Sequence, residues 1–61
     1  MRIWEYVPYT GPGLSTWEVF GRVRECRPED EMEVSDVNEA LHIAERDRKV
    51  KRYGSYWWRV L

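Results

Sequence analysis

A chain of 61 residues reads as one domain, 1–61, and a domain of this size buries only about 60% of the surface its unfolded chain exposes. The formal net charge of −1 argues against tight nucleic-acid binding by bulk charge alone. Cys26 is the single cysteine and His42 the single histidine, which excludes an internal disulfide and leaves no residues at metal-ligand spacing.

Met1–Tyr9 is β-prone through Ile3, Trp4, Tyr6 and Val7, with Pro8 marking an edge strand or a strand end. Thr10-Gly11-Pro12-Gly13 is turn chemistry. Trp17 to Arg24 nearly alternates apolar and polar residues, and Gly21 would interrupt a helix there, so a half-buried strand is expected. Ser15 with Glu18 also fits a capping box, and Leu14 with Val19 a hydrophobic staple, which is the case for a helix instead. Cys26 to Asp30 should reverse the chain into a short partner strand through Met32 and Val34. Ser35 or Asp36 then caps a helix whose Val37, Ala40, Leu41 and Ala44 fall on one stripe. Lys49–Arg52 extends it a little before Tyr53-Gly54-Ser55 turns into a final strand, Tyr56–Leu61.

The expected fold is α+β, a small antiparallel sheet of three to four strands with one helix packed on one face. Alternation puts Tyr56, Trp58 and Val60 on the helix side with Trp17, Val19, Val23, Met32, Val34, Val37, Leu41 and Ala44. Phe20, Arg22, Arg24, Trp57, Arg59 and Leu61 would then line an open face suited to a partner, because Arg and aromatic residues are enriched at binding hot spots. Charge is polarised along the chain: residues 25–39 carry a balance of −6 and residues 40–61 one of +4.

Two resemblances add to this. Trp17-Glu18-Val19-Phe20, Ala40-Leu41 with Ala44, and Gly54, Trp58 and Val60 resemble the small B-type subunit of bacterial phenylacetyl-CoA epoxidase over residues 17–60. That implies an accessory, non-catalytic module. Asp36 to Val60 is similar to the last helix and wing of a winged-helix domain, with Asn38 and His42 outward and Tyr53-Gly54-Ser55 at the wing tip. That implies DNA in the major groove. Only about ten residues separate Cys26 from the helix, which leaves no room for a middle helix after the expected strand.

The leading expectation is a non-catalytic protein-binding module, an accessory subunit or inhibitor occupying a larger protein or protein–nucleic-acid complex. Its partner-binding residues would be Phe20, Arg22, Arg24, Trp57 and Arg59, with Glu29, Asp30, Glu31 and Glu33 imitating phosphates. A homodimer through the open sheet face is a further partner. The alternative is nucleic-acid binding, with Trp57 and Phe20 stacking on bases and Arg22, Arg24, Lys49, Lys51, Arg52 and Arg59 reaching phosphates. No enzyme activity, cofactor or membrane association is expected, and the absence of a signal-peptide core or long apolar run points to the cytoplasm, the host's if the chain is viral.

Overall fold

Ser15 marks where the first α-helix of the chain begins. In the computed structural model, which describes residues 2–61, its hydroxyl accepts the Glu18 N–H at 3.2 Å and its own N–H donates to the Glu18 carboxylate at 3.1 Å. This complete capping box starts helix α1 (Thr16–Cys26), so the strand expected over Trp17–Arg24 is a helix. Val19 and Val23, four residues apart, are its buried pair, each contributing roughly 1.5–3 kcal/mol on burial. Gly21 costs about 1 kcal/mol of helix propensity, but it stands on the exposed side with open space where a Cβ would go. Two buried valines and a capped N-terminus outweigh one glycine.

The hairpin expected between residues 17 and 34 is absent for the same reason. Arg27 closes α1 by donating its N–H to Val23 O at 2.8 Å, Asp30 turns back onto Arg27 O at 3.1 Å, and Met32 packs half-buried against the core from an irregular connection. Helix α2 (Val34–Arg46) begins earlier than expected. Its cap is Glu33 in place of Ser35 or Asp36, and the Glu33 N–H donates to the Asp36 carboxylate at 2.9 Å. Val37, Leu41 and Ala44 are buried and Ala40 is half-buried, the stripe read from the sequence. Arg48 ends the helix in the left-handed region at φ 61°, where glycine is usual, and lets the Lys49 N–H reach Ala44 O at 2.8 Å. Lys49–Arg52 therefore does not prolong α2.

The chain turns into β2 (Val50–Tyr53) and β3 (Tyr56–Arg59), joined at Gly54-Ser55 with Gly54 at φ 62°. A two-residue strand, β1 (Leu14–Ser15), pairs antiparallel with the other side of β3, giving the sheet order β1-β3-β2. The fold is thus a small α+β layer of three antiparallel strands and two helices, where one helix was expected. Ile3–Tyr6 forms a single 3-10 turn, not a strand, and Met1 lies outside the described residues.

The registers Leu14↔Trp57 and Val50↔Arg59 fix the faces, since cross-strand partners point the same way. Leu14, Val50 and Trp57 are buried with α1 and α2. The expected face assignment is therefore inverted: Trp57 is core, while Tyr56 is exposed and Trp58 half-buried. Gly13 is required where β1 begins. Its φ is 76°, and a Cβ there would stand 2.8 Å from the Trp58 ring, whose indole N–H donates to Gly11 O at 2.8 Å. Among the described residues no buried side-chain polar atom lacks a partner, and no helix is long and apolar enough to cross a membrane.

Candidate functional site

Three elements meet around Trp57. Its indole N–H, buried beneath the sheet end, donates to Thr16 Oγ1 at 3.1 Å, and the Thr16 hydroxyl lies 3.5 Å from Asn38 Oδ1. The His42 ring stands edge-on to the Trp57 ring with centroids 5.3 Å apart. From the hairpin, the Arg52 guanidinium lies 5.9 Å from the same ring and donates to Gly54 O at 3.1 Å. The first turn of α1, one side of α2 and the β2–β3 turn thus surround a polar cleft of about 340 Å³, lined also by Ser15, Trp17 and Ser55.

The exposed arc of α2 continues from this cleft. At 100° per residue, Ser35, Glu39, His42 and Arg46 project away from Val37, Leu41 and Ala44, with Asn38 on the flank of that buried stripe, and all five are exposed. Glu45 places a carboxylate oxygen 3.6 Å from His42 Nδ1. The cleft thus joins hydroxyl, amide and imidazole groups with one guanidinium, while Glu39 and Asp36 put carboxylates on the same helix. Such a surface offers donors and acceptors for recognition. Among the described residues no cluster of three His, Cys, Asp or Glu could hold a metal ion.

A second, wider cleft of about 570 Å³ lies between the N-terminal segment and the far side of α1, lined by Tyr6, Pro8, Tyr9, Arg22, Glu25, Cys26 and Arg59 among others. Arg59 is spent on the protein there. It donates to the carbonyls of Glu5 and Val7 and, at 3.1 Å, to the Tyr9 hydroxyl, and it is flanked by the Trp4 and Tyr9 rings. Nearby, the Tyr6 hydroxyl first, with Asp30 and Glu29 adding their charge, holds the Arg27 guanidinium above its ordinary pKa.

The residues expected to form one partner face are scattered. Trp57 is buried and Arg59 half-buried in internal bonds, so neither belongs to an open platform. Phe20 is half-buried on α1, with Trp17 edge-on at 6.1 Å and Arg24 over its ring at 5.7 Å. Arg22 faces the second cleft. Glu29, Glu31 and Glu33 are exposed and Asp30 half-buried in the α1–α2 connection, apart from both clefts. Asn38 and His42, outward on the helix as read from the sequence, are joined by Thr16, which that reading missed. The Ser15/Glu18 box was the signal that places Thr16 at a helix start beside them. Comparison with known proteins finds no matching family model, no matching curated protein and no matching solved structure.

Proposed function

We propose that this chain is a duplex-nucleic-acid-binding module of winged-helix type, using α2 as its reading helix and the β2–β3 turn as its wing. The observation that carries the reading is the convergence of Thr16, Asn38, His42, Arg52 and Ser55 on one polar cleft. Supporting it is the chain order β1, α1, α2, β2, β3 with sheet order β1-β3-β2, in which α1 supplies the middle helix that the expected strand left no room for. A helix with short polar side chains fits the major groove, where base edges are read. Arg52 with the exposed Lys51 would follow the phosphate backbone beside the wing.

The acidic residues of α2 set the character of this binding. Asp36 and Glu39 repel phosphate, so affinity has to come from aligned contacts more than from charge. Fluorescence anisotropy of a labelled 20-bp duplex, titrated at rising salt, tests the reading. Binding with a log–log salt slope of about −3, for roughly three neutralised phosphates, is expected. No binding at low salt would overturn it.

A second reading, a protein-binding accessory or inhibitory module, is favoured by one feature. Trp17 is 68% exposed beside Phe20 and Arg24 on α1, an aromatic and guanidinium pairing common at hot spots. Capture of a protein partner that is lost with Phe20→Ala and Arg24→Ala, in a chain that binds no duplex, would support it over the first.

A further inference from the structure

We infer that the outer face of the sheet is a docking surface for a single nucleic-acid strand, with bases stacked on Tyr53, Tyr56 and Trp58. This surface is separate from the Thr16–Asn38 cleft and does not depend on the duplex reading. The registers Lys51↔Trp58 and Tyr53↔Tyr56 put four side chains on one side of β2 and β3, opposite Val50 and Trp57, which are buried with the helices. Tyr53 is 68% and Tyr56 47% exposed. Trp58 is fixed among them. Its indole N–H donates to Gly11 O at 2.8 Å, its ring lies 2.8 Å from where a Cβ on Gly13 would stand, and the Tyr53 ring meets it edge-on with centroids 5.9 Å apart. The fold thus holds a large ring in one orientation on the side away from both helices, and a ring ordered beforehand loses little freedom when a ligand stacks on it.

Charge decides what stacks there. From Arg48 to the end of the sequence the chain contains no Asp or Glu, while Arg48, Lys49, Lys51 and Arg52 are all exposed. The run Pro8–Ser15 beside Trp58 is uncharged. Among the described residues the ion pairs belong to Arg2 and His42, so Lys51, on the aromatic face itself, keeps its charge for a partner. A neutral sugar chain or an apolar peptide gains nothing from that charge, and a second copy of the chain docked face to face would set Lys51 against its equal. A polyanion with a flat ring on every unit satisfies both the cations and the aromatic rings, and every base offers a π-face for stacking. In a duplex those faces are already stacked on one another, so the ligand of this face is a single strand.

The test is fluorescence anisotropy of a labelled oligothymidine of about 12 nucleotides, within the span one such surface covers, titrated with the full chain at low salt beside an abasic oligonucleotide of equal charge. The abasic strand should bind at least about 10-fold more weakly. Tyr53→Ala and Tyr56→Ala, which remove exposed rings and leave the core intact, should each weaken oligothymidine binding by about 5-fold, whereas Tyr53→Phe keeps the ring and the affinity. Lys51→Gln should lower the log–log salt slope by about 0.7. Trp58→Ala also breaks the bond to Gly11, so the two tyrosines carry the test. No binding of oligothymidine, equal binding of the abasic strand, or unchanged affinity in both tyrosine variants overturns the inference. So does a wild-type dimer in sedimentation that Tyr53→Ala dissociates, since a second copy then covers the face. Strand binding in a chain that ignores duplex upholds this surface and overturns the duplex reading; duplex binding without strand binding does the reverse.

Discussion

Two arginines lie over aromatic rings at opposite ends of the β2–β3 hairpin, and they do different work. Arg59 sits between Trp4 and Tyr9 and gives its hydrogen bonds to the carbonyls of Glu5 and Val7 and the hydroxyl of Tyr9. Arg52 lies over the Trp57 ring but has one protein bond, to Gly54 O, and it is exposed at the rim of the Thr16–Asn38 cleft. The first is a structural clamp tying the N-terminal segment to the sheet, since its donors are consumed. The second keeps donors free for a ligand. Residue type and neighbouring rings are alike in both; what separates them is how many acceptors the fold supplies.

That contrast is open to a double dissociation. Arg59→Ala removes the donors to two carbonyls and the flat surface packed between two rings, and it should cost about 3 kcal/mol of stability in urea denaturation. Duplex affinity, measured where the variant is folded, should stay within about twofold of the wild type. Arg52→Ala should do the reverse, weakening duplex binding by about 10-fold, or roughly 1.4 kcal/mol, while shifting stability by less than about 0.5 kcal/mol. Equal effects of the two on stability would erase the distinction.

Smaller effects sharpen it from the helix that carries Thr16. Ser15→Ala breaks the capping box and should cost about 1 kcal/mol, with some loss of duplex affinity because the first turn of α1 frays. Gly21→Ala, on the exposed side with nothing near the new methyl, should instead raise the thermal midpoint, by about 0.5–1 kcal/mol of stability, without touching either arginine site.

The same two ends differ in how readable they were. The α2 stripe of Val37, Ala40, Leu41 and Ala44, the turn at Tyr53-Gly54-Ser55 and the outward placement of Asn38 and His42 follow from local spacing. Helix α1 was legible only through its cap. Its run of Trp, Val and Phe has strand propensity and Gly21 disfavours a helix, but two satisfied donors and two buried valines outweigh a glycine on an open face. The inner position of Trp57 was hidden because alternation yields two rows without saying which faces inward. An arginine in a row suggests an outer face, and only the carbonyls of Glu5 and Val7, some fifty residues away in sequence, let Arg59 occupy the inner one.

The most direct measurement is a two-dimensional amide NMR titration of the isotope-labelled chain with a 20-bp duplex. The account predicts that shifts concentrate at Thr16, Trp17, Ser35, Asn38, His42 and Arg52–Ser55, with the Trp57 indole N–H moving and the Arg59 region still. Shifts centred on Arg22, Glu25 and Tyr9, or on residues 29–33, with the cleft unmoved, would contradict it.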